Sequence, residues 1–446
     1  MDRIFRSSYE DFDLKEAQDF FNTHKNTIAP RLRLLKDYYD GKHAILNRKV
    51  SDISKPNNKL VNNFCDYIVN QSSSYFMGTP VSYNVLEEEK PAFEQIENIL
   101  KYNDEADTNA QHAENMAIYG TSYELLYIDK DGTPAIDVRF AVVNPEEMFI
   151  VYDRSLSFSP VYAVRYFPVE NHEYHVEVYT GKEVATYKVS HDNWEYVKVS
   201  NHFFGDVPAT EFFNNLDKVG DYEKVLSLVD EYNLLQSDSA NDFQYFSDAY
   251  LFLKGTTLDE DSAKKMRENK IINVADADAD ASFLIKEIQD QALENLKTRI
   301  VEDIHKFSGV PNLTDENFAG NLSGVAIKYK LLGLDNLATR KERRFKKALQ
   351  RRLELMFNLL FVRGKLPANN SYYDIDIVFK RTLPQNVYEQ SQMARNLLGI
   401  ASLQTILSQL DFVDDAKREI QTIEEERTAN PDSFEPFYGS LLETSE

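Results

Sequence analysis

Between residues 60 and 78 the apolar positions fall three and four apart: Val61, Phe64 and Ile68, with Ser72 on the same face. That spacing predicts a helix from Leu60, entered through a turn at Pro56 and "NNK" and closed by Gly78, Thr79 and Pro80. Residues 1–50 read as helical and polar, stopping at Asp40 and Gly41. Phe93, Ile96, Ile99 and Leu100 predict the buried side of a further helix over 91–119.

Over 121–213 the period changes to two. Tyr174, Val176 and Val178 alternate with His175 and Glu177, Thr180 and Gly181 turn the chain, and Ala185, Tyr187 and Val189 alternate with Thr186 and Lys188. Such alternation predicts a half-buried antiparallel meander.

The helical period returns over 217–250, where Tyr222, Val225, Val229, Tyr232, Phe243 and Phe246 mark one long amphipathic helix, roughly 45 Å if unbroken. A short mixed segment follows: "AYLFLKG", a helical turn over 263–269, strand "KIINV", acidic "ADADADA" and strand "SFLI". Ala292, Leu296, Ile300, Ile304 and Phe307 predict the next helix over 289–307, stopped by Gly309 and Pro311. A polar, Asn-rich stretch with Gly320 and Gly324 comes next. Leu331, Leu334, Leu337, Phe345, Leu349, Leu353, Met356 and Leu360 then predict a helix of more than 30 residues, beyond the ordinary globular range. Strand "DIDIVF", a helical region over 388–426 and a loose tail after Pro431 complete the chain.

Composition narrows the class. The 446 residues are 42% apolar, enough for a sizeable core and against wholesale disorder. A single cysteine, Cys65, excludes an intrachain disulfide and a Cys-based zinc site and fits a reducing compartment. The charged N-terminus lacks the apolar core of a signal peptide, and no run reaches the roughly 18 apolar residues of a membrane span. The net charge of -23 opposes tight binding to nucleic-acid phosphates and fits a wall that repels them.

Catalytic patterns are missing. There is no phosphate loop and no Gly-x-Gly-x-x-Gly, and "GNLSG" lacks the spacing of a nucleophile elbow. His172 and His175 read as a surface pair on opposite faces of a strand. Asp276, Asp278, Asp280 and Glu287 fall at positions 1, 3, 5 and 12 of a calcium loop, but Ala281 occupies position 6, where the sharp turn needs Gly. The stretch is read as a solvated acidic turn, with no metal and no cofactor expected. One cluster opposes the overall charge: Arg340, Lys341, Arg343, Arg344, Lys346, Lys347, Arg351 and Arg352 on one predicted helix. In so acidic a chain, docking on an acidic surface of a neighbouring copy is favoured over a solvated face or DNA.

Several separated stretches resemble the SPP1-type (Gp6-like) phage portal family. "NNKLVNNFCDYIVNQSSSYFMGTPVSY" is similar to that family's early helix and Gly-x-Pro turn, and "FGDVPATEFFNN" to the strand before its first stem helix. "YEKVLSLVDEYNLLQSDSANDFQYFSDAYLFLKG" resembles that stem helix and the entry to the clip; "VPNLTDENFAGNLSGVAIKYKL" is the most specific match. "LPQNVYEQSQMARNLLGIASLQTILSQLDFVDDAKREI" resembles the crown helices, shorter here, with Ser402, Thr405, Asp411, Asp415 and Glu419 in similar places.

The resemblance implies an α+β portal fold. A wing would cover 1–216, stem helix 1 217–250, a small α/β clip 251–288 and stem helix 2 289–310. A tunnel loop would follow over 311–324, then a long wing helix and returning strand over 325–381, crown helices over 382–427 and a tail over 428–446. It further implies a ring of twelve copies at one capsid vertex, with double-stranded DNA passing through an axial channel. Partners would be the terminase large subunit, head-completion or adaptor proteins, and capsid and scaffolding proteins. The site would be the virion, after assembly in the host cytoplasm, and no enzyme activity is implied. Asn312, Thr314, Asn317, Gly320, Asn321 and Ser323 would form the DNA-facing loop. Asp276, Asp278 and Asp280 would meet the motor, and Arg340, Arg343, Arg344, Lys347 and Arg351 would lie between subunits. The competing readings are another virion adaptor or structural part, and a metal-dependent nuclease built on the acidic cluster. An open axial channel in a ring separates the first from a portal; a magnesium- or manganese-dependent nuclease assay tests the second.

Overall fold

The computed structural model describes residues 3–50, 55–86, 89–129, 138–170, 173–191, 193–246, 250–254, 280–284, 290–314, 324–366, 372–381, 387–410, 412–413 and 416–429. In chain order these carry β1 (Phe5–Arg6), α1 (Leu14–Thr23), α2 (Ala29–Tyr39), α3 (Phe64–Met77), β2 (Ser82–Asn84), α4 (Lys90–Tyr102) and α5 (Glu105–Tyr119). Next come β3 (Thr121–Ile128), β4 (Val138–Val143), β5 (Met148–Tyr152), β6 (Pro160–Pro168), β7 (Tyr174–Tyr179), β8 (Glu183–Ser190), β9 (Asn193–Asn201) and β10 (Ala209–Phe213). The remainder is α6 (Leu226–Phe246), β11 (Tyr250–Lys254), β12 (Asp280–Leu284), α7 (Asp290–Ser308), α8 (Gly324–Lys330), α9 (Leu332–Val362), β13 (Asp376–Val378), α10 (Val387–Leu397), α11 (Leu403–Leu407) and α12 (Ala416–Ala429). The chain is thus mixed helix and sheet, and among the described residues its strand pairs are antiparallel except for β1 on β5. It divides into two compact units.

The first unit holds Met1–Lys36, Ile68–Asp221 and Gly309–Glu446. Its largest sheet runs β1-β5-β6-β7-β8-β9, a second β10-β3-β4, and β13 pairs with β2. In β5 every residue is buried, because the strand lies between two cores. Phe149 and Val151 join Phe21, Tyr162 and Val164 on one side, while Met148, Ile150 and Tyr152 join Tyr123 and Leu125 on the other. Alternate side chains of a strand face opposite ways, so a strand covered on both faces loses the polar half of its pattern. The meander expected from Val176, Val178 and Tyr187 is present, although Thr186 is also buried. Between α1 and α2 Ala29 donates its N–H to the His24 carbonyl five residues back. The wide turn accommodates Pro30, which has no N–H for the ordinary helical bond.

The expected helix over 91–119 is two helices. Asp104 adopts a left-handed conformation, φ +49°, and the Asn103 amide side chain leaves the helix pattern. It donates to the Ile99 and Val138 carbonyls and accepts the Phe140 N–H, so a bond to β4 ends α4. Gly120 stops α5 at φ +84°; a Cβ there would stand 2.3 Å from the Lys218 carbonyl, which only glycine avoids. The long helix α9 runs 31 residues and buries Leu334, Phe345, Leu349, Leu353, Met356 and Leu360.

The second unit holds Asp37–Tyr67 and Tyr222–Ser308. Here α6 spans 21 residues, about 31 Å, shorter than the stretch of helical period around it. The helix expected from Leu60 begins at Phe64 instead. Asn58, Leu60 and Asn62 donate their backbone N–H groups to the side chains of Asn241, Ser237 and Asn233, at 2.7, 2.9 and 2.7 Å. Four helical residues rise about 6 Å and two extended residues about 6.6 Å, so the two spacings keep step. Those N–H groups are satisfied without a helix, and Asn63 then caps α3 by accepting the Asp66 N–H at 3.2 Å. Asn233 also donates to Nδ1 of the buried His43 at 2.8 Å, and His43 Nε2 donates to the Tyr38 carbonyl at 2.9 Å.

Candidate functional site

Two stretches concentrate the candidate chemistry: the loop after α7 and the cation-rich helix α9. The loop opens at Gly309, φ +76°, where the backbone turns out of the helix, and Val310 is fully buried. Gly333, in the first turn of α9, lies against it; a Cβ on Gly333 would come within 3.1 Å of the Gly309 carbonyl oxygen. Asn312 Oδ1 accepts from the Thr314 N–H at 3.1 Å and from its hydroxyl at 2.6 Å. This turn satisfies its own polar groups and presents neutral side chains to solvent. Asn317, Gly320, Asn321 and Ser323 lie outside the described residues, as do Asp276, Asp278 and Glu287. Asp280 is described: it opens β12 opposite Lys254 of β11.

The eight cations of α9 divide by position. Arg340 and Arg343 are exposed, and Lys346 reaches Asp376 at 2.9 Å on the surface. Arg344, Lys347 and Arg351 line one cavity. Lys341 and Arg352 are buried and engaged within the chain. Lys341 Nζ donates to Asp221, which also accepts from the Ser72 hydroxyl at 2.6 Å and the Asn214 amide at 2.9 Å. Arg352 places Nη2 at 2.6 Å and Nε at 2.9 Å from the Glu124 carboxylate. Its Nη1 donates to Asn109 at 2.9 Å and Glu105 at 3.2 Å.

The network extends further. His112 bonds Glu124 through Nε2 at 3.1 Å and Ser122 through Nδ1 at 2.8 Å, while Tyr83 donates to Glu105. The Arg352 guanidinium lies over the Phe140 and Phe212 rings, and His112 stacks on Phe212. Burial pushes the Glu124 carboxyl up, but Arg352 and His112 outweigh it and hold the group below its usual value. Burial lowers the His112 pKa. A third buried pair, Lys218 with Glu211 at 2.7 Å, is completed by the Thr121 and Tyr152 hydroxyls.

Sequence reasoning placed Lys341 and Arg352 only in a charge run and missed Asp221, Glu105, Glu124, His112 and Glu211. A signal was present for the cations. Lys341 lies four residues before Phe345, and Arg352 three after Leu349 and four before Met356, so both share the apolar face. Nothing comparable marked the acids.

This arrangement fastens helices and sheet together. Among the described residues no group of three His, Cys, Asp or Glu side chains could hold a metal ion, and no helix is long and apolar enough to cross a membrane. Comparison with known proteins gives this architecture its family. The model of phage portal proteins of the SPP1 Gp6-like type matches residues 18–431. The chain belongs to this portal family. It is 25% identical over 447 residues to the portal protein of Clostridium phage phiCD119, covering 92% of this chain and 95% of the relative. It is 25% identical over 437 residues to the portal protein of Bacillus phage SPP1, covering 92% and 82%. The match to the portal family takes in both the loop after α7 and all of α9.

Proposed function

We infer that this chain assembles into a ring, of twelve copies, at one vertex of a phage capsid. The ring forms the channel through which double-stranded DNA enters during packaging and leaves at ejection. On its outside it docks the terminase large subunit and later the head-completion or adaptor proteins, with capsid and scaffolding proteins around it. The observation that carries this reading is the portal family match over residues 18–431. The order of elements supports it: α6, the antiparallel pair β11 and β12, then α7, the loop and a 31-residue helix. In this assignment α6 and α7 are the stem, 251–288 the clip, 311–324 the tunnel loop, and α10 to α12 the crown. Residues 1–216 and 325–381 form the wing.

The charge supports a passage rather than a grip. Each copy carries -23, so a ring multiplies a negative wall that repels a sliding polyanion. The neutral Asn312 and Thr314 turn touches phosphates without attracting them. The acidic stretch with Asp276, Asp278 and Asp280, of which Asp280 opens strand β12 rather than lying in a turn, belongs to the motor-docking clip in this scheme.

Mass measurement of the purified particle, with negative-stain microscopy, tests the reading. A closed ring of about twelve chain masses with an axial opening is expected. A particle that stays monomeric at micromolar concentration, or closes without an axial opening, removes it.

A further inference from the structure

A cavity of about 280 Å³ in the first unit is floored by apolar side chains and rimmed by cations. That volume is at or below the lower end for small-molecule pockets, roughly 300–1,000 Å³, and suits a few protein side chains. The Tyr152 and Phe158 rings stack at 4.0 Å along one wall, and Arg6 lies 5.7 Å over the Phe158 ring. Leu216, 65% exposed, stands at the rim.

The polar groups of this cavity are unfinished. Arg344 and Lys347 have no hydrogen-bond or ion-pair partner among the described residues. Arg351 binds Asp206 and Glu354 through Nη1, both at 2.8 Å, yet its buried Nε has no partner. Thr210, 2% exposed, is among the lining residues, and its buried hydroxyl also lacks a partner. The lining carboxylate, Glu211, is already engaged by Lys218, Thr121 and Tyr152.

We propose that this cavity is a socket for a carboxylate-bearing, apolar segment of a second copy of this chain. Resting on the ring reading, it names the surface by which adjacent copies meet. Charge complementarity favours a copy: a chain at -23 has acidic surface in excess, and here, among the described residues, Arg344 and Lys347 have no ion-pair partner and Arg6 meets only the Phe158 ring. The apolar floor disfavours a DNA backbone, which offers phosphate and sugar but no apolar side chain to fill it. The occupant's carboxylate meets Arg344 and Lys347, and its apolar part covers Leu216 and the stacked rings.

The half-assembly concentration reads this contact. Arg344→Glu with Lys347→Glu shifts it at least tenfold, and less at high salt. A photo-reactive benzoylphenylalanine in place of Leu216 reports contact independently of folding. In assembled particles it forms chain-to-chain cross-links that map to an acidic segment, and in dissociated chains it forms none. Rings that assemble at the wild-type concentration in the Arg344→Glu, Lys347→Glu variant, with no intermolecular cross-link from position 216, overturn the socket and leave the ring reading intact. A wild-type chain that never forms rings overturns both.

Discussion

Arg352 Nη2 stands 2.6 Å from Glu124 Oε2, and neither side chain is exposed at all. The pair ties α9 to β3, and Glu105, Asn109 and His112 complete its bonds. Two buried charges persist because each satisfies the other; removing one strands its partner in a low-dielectric interior. Arg352→Met is therefore expected to destabilise the chain by about 3–5 kcal/mol. Arg352→Met with Glu124→Gln is expected to cost less than the sum of the two single changes. Chemical denaturation of all three variants measures the coupling, and strict additivity would show that the contact carries no mutual stabilisation.

Stability should also fall in acid. His24 is buried, stacked on Phe149 at 5.1 Å with Nδ1 at 2.8 Å from the Tyr166 hydroxyl. Burial, with the charge of Lys218 adding, pushes its pKa down to about 3. The unfolded chain takes this proton near the ordinary value of about 6.5, well before the folded chain does. Its contribution is thus complete above that pH and is lost as pH falls towards 3, at about 1.4 kcal/mol per pH unit. His112 acts in the same direction. Melting temperature measured from pH 7.5 to 4.5 should fall, and His24→Gln should flatten the slope. A His24→Gln slope equal to wild type would assign the acid sensitivity elsewhere.

The ladder along α6 gives a residue-resolved prediction. Asn233→Ala leaves the Asn62 N–H and His43 Nδ1 without their partner and is expected to cost about 1–3 kcal/mol. Amide exchange at Asn58, Leu60 and Asn62 should accelerate, most at Asn62. Unchanged protection at Asn62 would mean that the extended strand is held by something other than this face.

What could be read from the chain were its short periods. Spacings of three and four locate α4, α7 and α9, and period two locates β7 and β8, because each depends on neighbours a turn or a pleat away. What could not be read depends on partners distant in sequence. The break at Asn103 is set by bonds to Val138 and Phe140, and the extended stretch 58–62 by side chains 171 to 183 residues onward. β5 shows no alternation because both of its faces are covered. The cavity draws Arg6, Thr210 and Arg344 from three separate stretches, so no local pattern announces it.

The last prediction concerns the loop after α7. Its anchor is the contact of Gly309 with Gly333 and the burial of Val310, all outside residues 315–321. The Asn312 and Thr314 turn closes on itself. Removing residues 315–321 therefore spares the anchor and should leave ring assembly and melting temperature nearly unchanged. If the stretch lines the channel, the same deletion should lower the DNA packaged per head, or its retention. Asn317→Lys with Asn321→Lys should act through attraction instead: phosphates passing the loop would be held, translocation would slow, and added salt would restore it. A deletion that prevents ring formation, while the few rings that form package normally, would make the segment a structural clamp and end the channel-loop assignment.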